Sequence, residues 1–323
     1  MKAMLVRAPG GPEAMTWTDI DMAAPAAGEA LVRHSRIGVN FIDVYYRSGL
    51  YPWPSETLIP GAEAVGVVEA VGAGVTEVKP GDRVCYVARF GAYCEARVMP
   101  VSHLVRVPDE ISDDTVAGML LKGMTAHYLV TSSYKVEPGD VVLVHASAGG
   151  VGLILGQWLR SIGAIAIGTA GSDEKVELAL AHGYAHVVNY RQADFVTSVA
   201  ELTEGAGCAV VYDSVGADTW RGSLKCLRKR GMFVSFGQSS GMIRDFQLSD
   251  LASHGSLSAN RPVLFDYVER REELVARSQD LFRLLSSGEV KADASTAYPL
   301  AEAATAHRML ESRQTTGSTI LYP

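Results

Sequence analysis

Residues 141–159 carry no aspartate, glutamate, lysine or arginine, and Arg160 ends the run. About 18 apolar residues suffice to cross a bilayer, so the run admits two incompatible structures. Its glycines decide between them. Gly149, Gly150, Gly152 and Gly156 lie inside it, and each glycine in a helix interior costs about 1 kcal/mol relative to alanine. The two halves also differ in kind. Val141–Val144 is valine-rich and follows Pro138-Gly139-Asp140, which predicts a short buried strand. From Val151 onward, Val151, Leu155, Trp158, Leu159 and Ile162 recur at helical spacing, and Gly163 supplies a stop. The segment reads as strand, glycine turn and helix, and a membrane span is set aside.

The alternation continues downstream. Strands are expected at 164–169, 186–190, 209–212 and 232–236. Helices are expected at 173–182 behind a Ser172 cap, at 194–203 and at 219–229. A sixth strand is expected at 256–260. Strands alternating with helices of about ten residues build a parallel sheet covered on both faces, so residues 124–261 are expected to form a doubly wound α/β domain. Residues 1–123 differ. Their valine-rich, glycine-punctuated stretch GAEAVGVVEAVGAGVTEVKPGDRVCYV predicts a β domain. Residues 262–323 are expected to return to it, with helices at 271–285 and 301–313 and a strand at 318–322.

The glycine turn has the pattern A-x-x-G-x-x-G at Ala146, Gly149 and Gly152. Small residues let backbone N–H groups and the helix dipole reach a pyrophosphate, and the flanking strand and helix make the pattern specific. Ala148, Gly149, Gly150, Val151 and Gly152 are the expected contacts. A site for NAD usually closes the second strand with a carboxylate that binds the ribose 2′-hydroxyl. Here residues 168–172 read GTAGS, without one. Gly171, the Ser172 hydroxyl, Lys175 on the next turn and Tyr190 at the end of the third strand suit a 2′-phosphate instead. The expected cofactor is NADPH rather than NADH.

Composition narrows the remaining classes. The net charge of −7 disfavours nucleic acid as a main partner. Cys85, Cys94, Cys208 and Cys226 include no C-x-x-C pair, so four free thiols in a reducing compartment are expected. Arg7 interrupts the first apolar run too early for a secretory signal, so the expected location is the cytoplasm.

Several longer stretches carry a resemblance: GVNFIDVYYRSGLYP (38–52), PGAEAVGVV (60–68), LKGMTAHYL (121–129), HASAGGVG (145–152), VVNYR (187–191), VVYDSVG (210–216), FVSFGQSSG (233–241) and LESRQTTGS (310–318). Together they resemble the zinc-independent quinone oxidoreductases of the medium-chain dehydrogenase/reductase superfamily, over essentially the whole chain. The resemblance implies a GroES-like β domain plus a Rossmann domain, and a homodimer formed through the Rossmann sheet edge. Zinc members place cysteine where Asn40 stands and a His-Glu pair where Ala62-Glu63 stands, so no metal is expected. The resemblance puts Asn40, Tyr45 and Tyr51 at the nicotinamide end of the site. Asn40 would orient the carboxamide or a substrate oxygen; the tyrosines would stack on a planar substrate, donate to it, or only pack. Lys122 and Thr125 would contact the cofactor ribose, with a structural ion pair the alternative for Lys122. Tyr128, Ser214, Phe236, Gly237, Gln238, Ser239 and Arg313 complete the implied cofactor contacts.

The activity implied is metal-independent reduction of quinones by NADPH in an interdomain cleft. The alternatives are reduction of enone or alkenal C=C bonds, and a non-enzymatic NADPH-binding role of the crystallin or RNA-binding kind.

Overall fold

The computed structural model describes residues 1–53, 55–293, 295–312 and 315–323. The chain divides into two units: Met1–Lys122 with Val268–Ser286 and Ala292–Pro323, and Gly123–Tyr267 with Ser287–Lys291.

In the second unit, six parallel strands stand in the order His186–Asn189, Ile165–Ala170, Val141–Val144, Cys208–Asp213, Leu227–Ser235, Ser258–Asn260. Each overlaps an expected strand, although Leu227–Ser235 begins five residues ahead of the expected 232–236. The order reverses direction between Val141–Val144 and Cys208–Asp213, and ligands of open α/β sheets bind beyond the strand ends at such a point. The uncharged run is strand Val141–Val144 and helix Gly150–Ile162, with Gly163 closing the helix at φ +87°. No helix among the described residues is long and apolar enough to cross a membrane.

One expected helix is much shorter. Residues 219–229 read as helical, but the helix is Trp220–Lys225 and the next strand begins at Leu227. Cys208 pairs with Leu227 while Val210 pairs with Met232, so residues 228–231 bulge out of register. Arg230 there has φ +63°, a conformation no helix accommodates. The charged Arg228-Lys229-Arg230 run is therefore carried on a bulge.

The first unit is built on a seven-stranded sheet, largely antiparallel. Its path is Thr296–Pro299, Thr319–Tyr322, Glu29–Val39, Glu63–Val71, Arg83–Val87 and Val105–Arg106, with Ala96–Pro100 paired to Glu29–Val39. The tail does join this sheet. Its expected helix at 301–313 is a short 3₁₀ turn, Leu300–Glu302, followed by Ala303–Glu311. The β core includes Val32, Ile37, Val84 and Tyr86, all fully buried. Helix Asp113–Tyr128, up to Lys122, also belongs to this unit and was not foreseen.

Candidate active site

The glycine turn is built for close backbone approach. Ala146 adopts φ +55°, a left-handed conformation that a non-glycine residue rarely takes. A side chain at Gly152 would strike the carbonyl oxygens of Ala146 and Ser147, so the helix starts tight against the turn. Gly149 is the N-cap and its side-chain-free flank is open apart from Ala146 O. Ala148, Gly149, Gly150 and Val151 thus line a ledge of backbone at a helix N-terminus, the arrangement that binds phosphate.

Beside it lies a cationic rim. Ser172 caps helix Asp173–Ala181 by accepting from the Lys175 N–H. Gly171 has no side chain where the Tyr190 hydroxyl approaches, so any larger residue would push that ring away. The Lys175 ammonium is held below its ordinary pKa by partial burial first and then by the nearby Arg191 guanidinium. Two cations repelling each other at one strand end form a setting that an anion would relieve. Arg191 was missed in the sequence, although it directly follows Tyr190.

Farther along the same sheet end, Ser214 and Gly237 are packed so closely that a side chain at Gly237 would meet the Ser214 backbone. Ser239 N–H donates to Ser214 O at 3.2 Å. Asp213 anchors this loop from within, accepting from the N–H groups of Val215 and Gly216 and from the hydroxyls of Thr219 and Ser223. Phe236 and Gln238 are partly exposed beside it. Thr125 is buried, and Tyr128 is buried in a parallel stack on Tyr267 with centroids 4.5 Å apart. Arg313 lies outside the described residues.

The first unit holds a second, very different cluster. Asn40 is the N-cap of helix Phe41–Arg47. Its Nδ2 donates to Glu63 Oε1 at 2.8 Å, and the Leu121 N–H donates to Glu63 Oε2 at 2.7 Å. The Lys122 ammonium stands 3.7 Å from the same Oε1 and 3.4 Å from Val39 O. Glu63 is fully buried, and burial pushes its carboxyl upward against the pull of Lys122 and Asn40. Gly38 makes this possible, since a side chain there would collide with the Glu63 carboxylate and with Ala117 O.

A directed hydrogen-bond chain supports Asn40 from behind. Arg47 can only donate, so its 3.0 Å contact makes His307 Nδ1 the acceptor. His307 Nε2–H then donates to the Tyr93 hydroxyl at 3.0 Å, and Tyr93 donates to Asp43 Oδ2 at 3.0 Å. The Asn40 backbone N–H donates to the same Oδ2 at 2.8 Å. Arg47 is itself held by Glu311, at 2.8 and 2.9 Å. Burial, then the Arg47 charge, lower the His307 pKa to about 3, in keeping with the neutral tautomer. Burial raises the Asp43 pKa to about 7, and its Oδ1 finds no hydrogen-bond partner.

Tyr45 and Tyr51 come together beside Asn40's helix, with ring centroids 5.3 Å apart, and Phe41 and Tyr46 extend the aromatic cluster. Asn40, Tyr45, Tyr51 and Lys122 thus belong to one unit, and the phosphate ledge with its rim to the other. Nothing in the sequence flagged Asp43, Tyr93 or His307, because Tyr93 lies 50 residues from Asp43, and His307 lies 214 residues from Tyr93 and 260 from Arg47. Among the described residues no group of three His, Cys, Asp or Glu side chains is placed to hold a metal ion.

Residues 26–140 match the family model of the alcohol dehydrogenase GroES-like domain, and residues 150–276 match that of the zinc-binding dehydrogenase. Those two matches define a medium-chain dehydrogenase/reductase, a GroES-like domain joined to a nucleotide-binding one. The chain is 45% identical to a quinone oxidoreductase of Pseudomonas aeruginosa over 97% of each chain. It is 42% identical to a 2-haloacrylate reductase of a Burkholderia species, over 99% of this chain and 98% of that one. The crystal structure of Escherichia coli quinone oxidoreductase complexed with NADPH superposes with a TM-score of 0.98 at 44% identity, covering all of both chains. The chain belongs to the quinone oxidoreductase family of this superfamily.

Proposed function

We propose that the protein reduces quinones with NADPH, without a metal. The observation that carries this reading is the near full-length likeness to quinone oxidoreductases, one of them a structure complexed with NADPH. The residues present fit that cofactor. The ledge at Ala148, Gly149, Gly150, Val151 and Gly152 suits its pyrophosphate, because a side chain at Gly152 would fill the approach. Lys175 and Arg191, with Ser172, Gly171 and Tyr190, suit a 2′-phosphate. Thr125, Tyr128, Ser214, Phe236, Gly237, Gln238 and Ser239 complete the cofactor set.

When bound, NADPH supplies a hydride. A quinone is already electron-poor, so the protein's contribution is position and electrostatics. Glu63 takes the Asn40 amide nitrogen as donor, which fixes the orientation of the amide. Tyr45 and Tyr51 offer an aromatic wall to a planar substrate. The decisive assay is NADPH oxidation against benzoquinones, naphthoquinones and enones, repeated with NADH. Faster turnover with NADH, or none with any quinone, would overturn the reading.

A second reading is reduction of an activated C=C bond, favoured by the likeness to 2-haloacrylate reductase; the enone arm of the assay measures it. The working form is proposed to be a homodimer joined at the sheet edge. Ser258–Asn260 ends the strand order, with its outer flank available for pairing. Light scattering of Ala259→Pro against the parent tests that edge. A cytoplasmic location is proposed on the four free, buried cysteines, and fractionation tests it.

A further inference from the structure

We propose that the Lys122 ammonium stabilises the negative charge that develops on the substrate oxygen and delivers a proton to it, with Glu63 as the positioning residue. The inference rests on the reading of the protein as a quinone or enone reductase.

The geometry around Glu63 is unequal. Its two oxygens are satisfied by short bonds from Asn40 and Leu121, at 2.8 and 2.7 Å. Lys122 is held at longer range, 3.7 Å from Glu63 and 3.4 Å from Val39 O. An ammonium has three donors, so this one retains capacity for a further acceptor. Exposure is unequal too. Glu63 is completely sealed, whereas Lys122 and Asn40 keep 7% and 6% of their surfaces. The anion is fully enclosed, while the lysine and the asparagine that hold it each keep a small exposed surface. A buried ion pair is costly to retain and is often replaceable by apolar residues without loss of stability, so a use for the charge is the more economical account.

Several other charged or titratable groups of this unit are committed elsewhere. Arg47 is bound to Glu311 and His307, and a guanidinium does not give up its proton. His307 and His34 are buried and neutral, their pKa values lowered by burial to about 3 and about 4. Tyr93 donates inward to Asp43. The chemistry needs a proton source. Hydride addition brings two electrons to the conjugated acceptor, and the π pair of one carbonyl moves onto its oxygen. The N–H bond of Lys122 then breaks as the O–H bond forms. The neutral amine recovers its proton from water after product leaves, so one proton is consumed per turnover.

The test uses the full-length protein with Lys122→Gln, Lys122→Arg and Glu63→Gln. The first readout is binding of 4-nitrophenol in the presence of NADP⁺, followed by phenolate absorbance across pH. In the parent, bound nitrophenol should ionise at lower pH than in solution. Lys122→Gln should abolish that shift and Lys122→Arg should keep it. The second readout is turnover. Lys122→Gln should lower kcat about 100-fold, more for enones than for benzoquinones because their reduced oxyanions are more basic. The KM for NADPH should stay within about threefold. Lys122→Arg should keep the charge but turn over slowly, since it withholds the proton. Glu63→Gln should give an intermediate loss in kcat with the nitrophenolate shift weakened.

Three results would overturn the proposal. One is a parent protein that fails to shift nitrophenol. Another is Lys122→Gln weakening NADPH binding about tenfold at unchanged kcat, which assigns the lysine to the ribose. The third is Lys122→Gln losing its fold while Lys122→Arg keeps full turnover, which makes the pair structural. A parent that shifts nitrophenol but reduces no quinone or enone would break the proposed function and, with it, the catalytic half of this inference.

Discussion

Each unit buries an aspartate, and the two are handled in opposite ways. Asp213 accepts from two backbone N–H groups and two hydroxyls, using both oxygens, at 2.8 to 3.0 Å. Every donor is neutral and local, the farthest being Ser223. Asp43 receives both of its donors on Oδ2 and leaves Oδ1 without a partner. Its donors come through a chain that reaches His307 and Arg47. The first arrangement fixes a loop. The second keeps an under-solvated carboxyl close to Asn40, in the unit where Glu63 and Asp43 are raised and His307 is lowered by burial. A buried carboxyl with an unpartnered oxygen beside Asn40 marks a setting for reaction, whereas the fully satisfied Asp213 marks an anchor.

The largest expected effect breaks the scaffold. Asp213→Asn replaces one acceptor oxygen by a donor facing hydroxyls and N–H groups. A loss of about 3 kcal/mol in urea unfolding is expected. Next comes Gly152→Ala. The new methyl would meet Ser147 O at 2.7 Å and Ala146 O closer still. Displacing the turn by a fraction of an ångström should weaken NADPH binding about 100-fold, read by calorimetry, with far-UV circular dichroism unchanged. Unaltered affinity would remove the ledge from the cofactor site. Lys175→Glu and Arg191→Glu act on the rim and should each lower NADPH affinity about 10- to 100-fold while sparing NADH. If the NADPH/NADH ratio does not move, the 2′-phosphate assignment fails.

The two units were unequally legible in the sequence. The binding unit writes its architecture locally. Val141–Val144, the glycines at 149–152 and the Ser172 cap lie within a few residues of what they organise, so strand, turn and helix could be placed and the missing carboxylate at 168–172 noticed. The same locality failed at 219–229, where a bulge set by pairing with Cys208–Asp213 overrode helical spacing. In the first unit Asn40, Tyr45, Tyr51 and Lys122 were reached through resemblance alone. What holds them was not legible, because Glu63 lies 23 residues from Asn40 and 58 from Leu121, and nothing in residue type or spacing encodes such a contact. Gly38 is the one trace. It reads as an ordinary glycine of a strand, and only the structure shows that it makes room for the Glu63 carboxylate.

The smallest predicted effect is the most direct test of the contrast, because its sign changes with pH. The Asp43 carboxyl is raised to about 7 by burial in the folded protein, against about 3.9 in an unfolded chain. Between those values the folded state keeps a proton that the unfolded state has lost. The stability contributed is therefore present below about pH 4 and is lost as pH rises through about 7. Asp43→Asn cannot lose that proton. Its amide oxygen still accepts from Asn40 and Tyr93, while its nitrogen takes the Oδ1 position, where no partner waits, at a cost of about 1–3 kcal/mol. The variant should thus be less stable than the parent near pH 4, gain on it steadily up to pH 7, and match or exceed it by about 1 kcal/mol above. His34 and His307 titrate in both proteins, their pKa values lowered to about 4 and about 3. They add stability as pH rises toward 6.5 in each, so the difference between the two unfolding curves isolates Asp43. A difference that stays flat from pH 4 to 8 would place Asp43 with Asp213, as one more hydrogen-bonded anchor, and would dissolve the distinction between the two units.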